Sequence, residues 1–326
     1  MEFWKDKKVL ITGASGFAGS HLVEKLLEKG AHVKAVDNFS RNKHDNLAHI
    51  RGKIEFVPGD LKDIKLCKQI CKNIDVVFHL AAKIRGIDYN VKHHGEMFFD
   101  NAIINLNMME AAKETGVDRF LYVSTVGVYP RECRIPTPEE DAFSADVEPS
   151  SYGYGWAKRM GEIQAKCYFD EYKMKIAVIR PWNIYGPRDD FNPKTSPVIP
   201  SLIRKVLEND EIEVWGDGSQ TRTFTYVGDF VQGAMLAVEK HPEPDPFNIG
   251  SDEEVSIKEL LFNIIEITGR KVKVNFDTSK PAGAPRRCPD ISKAKKLIGY
   301  NPAVSLKEGL KYTIEWYLKN KERFNS

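Results

Sequence analysis

Lys8-Val-Leu-Ile-Thr12, Gly13-Ala-Ser-Gly16-Phe-Ala-Gly19 and Ala31-His-Val-Lys-Ala-Val-Asp37, read together, decide the fold. The first is a short apolar run that predicts a strand. The glycine stretch opens an amphipathic segment, Ser20 to Lys29, that predicts a helix ending at Gly30. The third predicts a second strand, finishing on an acid. Strand, glycine turn, helix, strand and carboxylate is the order a dinucleotide-binding unit requires. Glycines let the backbone turn tightly and approach a pyrophosphate. The helix N-terminus offers that anion free N–H groups and a positive dipole end. Asp37, 18 residues past Gly19, is placed to accept hydrogen bonds from an adenosine ribose.

Outward from this unit, strand and helix signals keep alternating. Ile54–Val57, Asp75–Leu80, Arg119–Ser124 and Lys175–Arg180 read as strands. Asp63–Lys72, Phe98–Glu114 and Tyr152–Tyr172 read as helices. Such alternation predicts right-handed crossovers and a Rossmann-type, doubly wound parallel sheet in an α/β protein. After Pro181 prolines and glycines cluster and the elements shorten. Ser256-Ile-Lys-Glu259 and Ser305-Leu-Lys-Glu308 each predict a capped helix start. Residues 1–181 are therefore expected to form the cofactor-binding domain. Residues 182–326 are expected to form a smaller α+β substrate lobe, interleaved with the first through returning segments.

The bulk numbers exclude several classes. A formal charge of +2 over 326 residues does not point to nucleic acid or a membrane surface. The five cysteines (Cys67, Cys71, Cys133, Cys167, Cys288) are odd in number, scattered, and lack paired metal-ligand spacing. They read as thiols in a reducing compartment, with no metal expected. No signal peptide or membrane-spanning run is visible, so a cytoplasmic protein is expected.

Tyr154-Gly-Trp-Ala-Lys158 puts a phenol and an ammonium on one face of a helix. A Lys⁺ and an oxidised nicotinamide ring beside Tyr154 would favour its phenolate. The pair then suits proton exchange with a sugar hydroxyl during redox chemistry. Ser124-Thr125 ends a strand at the carboxyl edge of the sheet, where open α/β sheets bind ligands.

These motifs and others resemble the extended short-chain dehydrogenase/reductases of the nucleotide-sugar epimerase/dehydratase family, over nearly the whole chain. The carrying segments are Thr12–Gly19, Asp37-Asn38, Gly59-Asp60-Leu61, His79–Ala82, Ser124–Tyr129, Tyr154–Lys158, Arg180–Pro187 and Trp215–Arg222. The resemblance implies NAD as cofactor, with Gly13, Gly16, Phe17, Ala18 and Gly19 at the pyrophosphate and Asp37 and Asn38 at the adenosine ribose. It implies Asp60 and Leu61 beside the adenine, with Leu80, Ala81, Ala82 and Asn101 along the cofactor's middle. Thr125, Tyr154 and Lys158 would be catalytic, the last two also touching the cofactor. Asn183, Arg222 and Arg287 would hold the nucleoside diphosphate of a UDP- or GDP-hexose, with Trp215 near its base and Asp290 near its ribose. Arginines suit a diphosphate because a guanidinium grips it bidentately. Helices Phe98–Glu114 and Tyr152–Tyr172 carry apolar residues beyond one stripe, among them Leu106, Met108, Met109, Met160 and Ile163. By the same resemblance, they would pair into a homodimer.

Departures from the family's patterns narrow the reaction. Family members that dehydrate carry Thr-Asp-Glu at the strand end, and the uronate decarboxylases place a Glu at the position of Gly127; this chain has Thr125-Val126-Gly127. Ala81-Ala-Lys-Ile-Arg-Gly-Ile87 and Asp190–Pro200 are similar to the GDP-fucose synthases, and Trp215–Thr225 to the GDP-mannose 3,5-epimerases. Both groups use a Cys acid/base where this chain has Gly127, and the synthases a His where it has Pro197. Neither side chain here can move a proton. The glycine, Asp37–Ser40 and Tyr-Lys segments are equally similar to the UDP-galactose 4-epimerases. C4 epimerisation through a 4-keto sugar is the expected reaction. A one-way 4-dehydrogenase or 4-keto reductase is the alternative, and a non-catalytic NAD(P)-binding regulator the alternative of another class. Asp37 repels a 2′-phosphate and so favours NAD, while Arg41 nearby could accept one.

Overall fold

A computed structural model describes residues 3–41, 45–84, 86–280 and 284–324; Arg85, within the synthase-like segment, lies outside them. Six strands, β1 (Lys8–Thr12), β2 (His32–Asp37), β3 (Glu55–Pro58), β4 (Val76–His79), β5 (Arg119–Val123) and β6 (Lys175–Pro181), join Phe247–Ile249 in one sheet. The order is Phe247–Ile249, β6, β5, β4, β1, β2, β3, and every pair is parallel. Chain direction along the sheet reverses between β1 and β4, and the crevice above that switch point is where such sheets take ligands.

The helices are α1 (Phe17–Glu28), α2 (Ile64–Ile70), α3 (Ile87–Lys92), α4 (His94–Thr115), α5 (Tyr152–Tyr172), α6 (Val198–Glu208), α7 (Val227–Lys240), α8 (Ile257–Thr268), α9 (Ser292–Ile298) and α10 (Leu306–Asn320). α1 starts three residues before the expected Ser20, because Gly16 takes the N-cap and the glycine motif itself forms the first turn. The short α3 was not expected; it follows Gly86 and has too few residues for a periodic signal.

Each sheet face has its own core. Leu22, Val23 and Leu26 of α1 pack with Phe230, Ala234 and Val238 of α7 on one side. Ile70 of α2, Met108 and Met109 of α4 and Ala165 of α5 pack on the other. Because α7, Phe247–Ile249 and α9 all join the first core, the chain beyond Pro181 returns to the sheet twice. A third core, with Leu202, Leu260, Leu261 and Leu310, joins α6, α8 and α10 under short strand pairs. The Ser256 capping box forms in full, and Ser305 accepts from the Glu308 N–H. No helix among the described residues is long and apolar enough to cross a membrane.

Candidate active site

At Gly13 the backbone takes a left-handed turn, φ +66°, and a Cβ there would stand 3.0 Å from the Ala81 backbone. A Cβ at Gly19 would lie 2.1 Å from the Gly13 carbonyl oxygen, so the start of α1 can only press against the loop as glycine. The glycines thus form a cradle whose wall is main chain, with the α1 N-terminus opening onto it. That geometry fits a dinucleotide pyrophosphate. Asp37 at the end of β2 braces the same loop, accepting from the N–H of Ser15 at 2.9 Å and of Phe39 at 2.8 Å. Burial raises the pKa of its carboxyl, and those backbone bonds oppose the shift.

A cleft of about 540 Å³ runs from this cradle across the carboxyl ends of β1, β4 and β5. Gly13, Gly16, Phe17, Ala18, Gly19, Asp37, Asn38, Asp60 and Leu61 line its glycine-loop side. Leu80, Ala81, Ala82, Thr125, Tyr154, Lys158 and Asn183 line the rest. Asn101 stands behind the wall: its Oδ1 accepts from the Lys83 N–H at 2.9 Å and its Nδ2 donates to the Lys83 carbonyl at 3.1 Å. It fixes the Lys83 backbone and does not line the cleft.

The two hydroxyls that end β5 diverge. Ser124 Oγ donates to Glu162, which forms a buried ion pair with Arg180 at 2.6 Å. Removing one partner of such a pair costs about 3–5 kcal/mol, so Ser124 is committed to the scaffold. Thr125 lines the cleft with Tyr154, and its hydroxyl accepts from the Gly127 N–H at 3.2 Å. Burial pushes Tyr154 up to about 12, opposed by the nearby Thr125 hydroxyl and the Arg41 charge. Burial pushes Lys158 down to about 7, opposed by Glu162. Lys158 Nζ donates to the Val123 carbonyl at 2.8 Å. The same Nζ lies 5.9 Å from the centre of the Tyr154 ring.

The residues expected at the substrate's nucleotide separate. Arg287 lines a second cavity of about 290 Å³, which shares Val126 with the main cleft. Arg222 is the register partner of Arg287 on the adjoining strand. Trp215, Arg222 and Asp290 line neither cavity. Trp215 is 55% exposed, its indole donating to Glu213 at 3.1 Å. The Asp290 carboxylate accepts from the Ser292 N–H at 2.8 Å, at the start of α9.

Some site residues carried no assignment from sequence. A buried polar chain joins the glycine-loop strand to α5: Thr12 Oγ1 to His79 Nδ1 at 2.8 Å, His79 Nε2 to Asn105 Oδ1 at 3.0 Å, Asn105 Nδ2 to Tyr122 Oη at 3.0 Å, and Tyr122 to the Lys158 carbonyl at 3.2 Å. Burial, then the Lys158 charge, pushes His79 down to about 3, so it acts as a neutral relay of orientation. A lone His in the apolar run Val76-Val-Phe-His79 was the available signal. Across the cleft mouth Arg41 lies 3.7 Å from Asp190, and Arg188 pairs with Glu24 of α1 at 2.7 Å. No cluster of His, Cys, Asp and Glu suited to a metal occurs among the described residues.

Residues 9–250 match the model of the NAD dependent epimerase/dehydratase family. The chain is 32% identical to a dTDP-4-dehydro-6-deoxy-D-allose reductase of a Streptomyces species, covering 98% of each. It is 34% identical to a UDP-N-acetyl-alpha-D-glucosaminuronate decarboxylase of Bacillus cytotoxicus, covering 95% of this chain and 98% of the other. Among solved structures, it is similar to a UDP-glucose 4-epimerase from Thermotoga maritima with UDP-glucose, with a TM-score of 0.87, 32% identity, and 96% and 99% of the two chains covered. Three reactions at equal distance leave the choice to individual residues.

Proposed function

The chain is an enzyme of the NAD-dependent epimerase/dehydratase family, and we propose that it epimerises C4 of a UDP- or GDP-hexose through a 4-keto sugar. The observation that carries the reading is the empty chemistry at Gly127. A Cβ there would meet only ordinary contacts, 3.4 Å from Thr125 Cγ2 and 3.5 Å from Ser151 Oγ. Packing does not demand glycine, yet the carboxylate or thiol that elimination or a C3/C5 proton shift requires is missing. Pro197 lines the cleft where a second proton carrier would stand. What remains is one relay, Thr125 and Tyr154.

Bound NAD supplies a reversible hydride acceptor for the sugar carbon. Thr125 orients the sugar O4 and the phenol. Tyr154 takes the O4 proton and gives it back, while Lys158 steadies the phenolate from inside the helix. Asn183, Arg222 and Arg287 hold the diphosphate, with Trp215 and Asp290 at the nucleoside. Asp37 and Asn38 take the adenosine ribose. Arg41 already faces the acids Asp189 and Asp190, which supports NAD over a 2′-phosphorylated cofactor. Phe98, Phe99 and Leu106 of α4 and Ile163 of α5 are exposed, supporting a homodimer through these helices.

The test is turnover of UDP- and GDP-hexoses by the purified protein with no cofactor added. Epimer formation without a net redox product supports the reading. Turnover of these hexoses only with stoichiometric NAD would instead establish a 4-dehydrogenase, and reduction of a 4-keto sugar only with stoichiometric NADH or NADPH a 4-keto reductase, the reading the Streptomyces relative supports. Cofactor-dependent binding of a protein partner, with no turnover, would establish a regulator.

A further inference from the structure

Arg222 and Arg287 sit directly opposite each other on adjacent parallel strands, Thr221–Thr223 and Arg286–Arg287. Like charges so placed repel, since register neighbours lie about 5 Å apart. Burial, then the charge of Arg287, lowers the pKa of Arg222. Neighbouring Arg286 has an acid of its own, Glu254 at 2.8 Å. Among the described residues the Arg222–Arg287 pair has a single carboxylate: Arg287 Nη2 meets Glu148 Oε2 at 2.6 Å, while Arg222 Nη1 donates to its neighbour's carbonyl, Thr221 O, at 2.6 Å. Two guanidinium charges thus face one negative charge, an arrangement that a multiply charged anion would complete.

Glu148 does not come from the arginines' lobe. It belongs to the loop that enters α5: its N–H donates to the Tyr129 carbonyl at 3.3 Å, and its own carbonyl accepts from the Ser151 N–H at 3.0 Å. Tyr152 starts α5, and Tyr154 lies two residues further on.

We propose that Glu148 is a stand-in anion, displaced from Arg287 when the substrate's diphosphate settles between Arg222 and Arg287. Its release ties occupancy of the nucleotide end to the loop that leads into the helix carrying Tyr154. The inference rests on the reading of those arginines as the diphosphate clamp.

Calorimetric titration of the NAD-loaded protein with UDP and with GDP tests it. Glu148→Gln and Glu148→Ala remove the competitor, and a partly exposed ion pair predicts about two- to fivefold tighter binding of whichever nucleotide wild type prefers. Hydrogen exchange at the Ser151 amide should quicken when wild type binds that nucleotide, and should already be fast in Glu148→Ala. Equal or weaker binding by both variants, with Arg287→Ala still impaired, would overturn the stand-in and leave the clamp intact. Undiminished binding by Arg287→Ala, or no binding of either nucleotide by wild type, would overturn both.

Discussion

At the glycine-loop end of the cleft, the residues that meet come from short stretches, Gly13–Gly19, Asp37–Asn38, Asp60–Leu61 and Leu80–Ala82, each at the carboxyl end of a neighbouring strand. At the end proposed for the nucleotide sugar, Asn183, Trp215, Arg222, Arg287 and Asp290 come from separate elements beyond Pro181, and only Asn183 lines the main cleft. The first end is a backbone device, fixed once the sheet forms. The second is a side-chain device whose parts are still engaged with the protein's own groups, Arg287 with Glu148 and Trp215 with Glu213. Rigid preorganisation suits a cofactor retained through every turnover, and replaceable partners suit a substrate that must leave.

The largest effect is expected between the two ends. Tyr154→Phe removes the phenol that lines the cleft with Thr125 and should lower turnover about 10²- to 10⁴-fold, with NAD and nucleotide binding kept. At the glycine-loop end, Gly19→Ala forces a methyl against three backbone atoms, one at 2.1 Å and two at 2.9 Å. Overpacking of about 1–3 kcal/mol should cost about 5- to 150-fold in NAD affinity, measured by titration of the cofactor-stripped protein. At the other end, Arg222→Ala should weaken UDP or GDP binding about tenfold and leave NAD affinity unchanged. Equal losses of both ligands in either variant would break the division between the ends. The smallest effect sharpens it at the seam. Burial raises Asp189 from 3.8 to about 7, so the folded protein binds an extra proton between those values and loses stability as pH rises through them. Asp189→Asn does not titrate, and its Tm advantage over wild type should therefore grow from pH 5 to pH 8; an advantage constant with pH would refute the buried charge.

The same division explains what the sequence made legible. Strand, glycine turn and helix are local signals with a fixed period, so β1, α1 and β2 appear within three residues of where Lys8–Asp37 places them. Tyr154 and Lys158 were legible because i and i+4 share a helix face. The direction of Ser124 was not, since its partner Glu162 lies 38 residues on. The chain from Thr12 through His79, Asn105 and Tyr122 joins four elements, so no local window contains it. Arg287 and Glu148, 139 residues apart, meet only after the second lobe docks. The burial that pushes Tyr154 up and Lys158 down is likewise something spacing does not report.

Proton NMR of UDP- and GDP-hexoses incubated with the protein in deuterated water, with no added cofactor, tests the central claim most directly. The account predicts a new C4 epimer with no deuterium on any sugar carbon, because the hydrogen leaving C4 returns to it. Deuterium at C3 or C5 would contradict it, showing a proton carrier at work that neither Gly127 nor Pro197 can be.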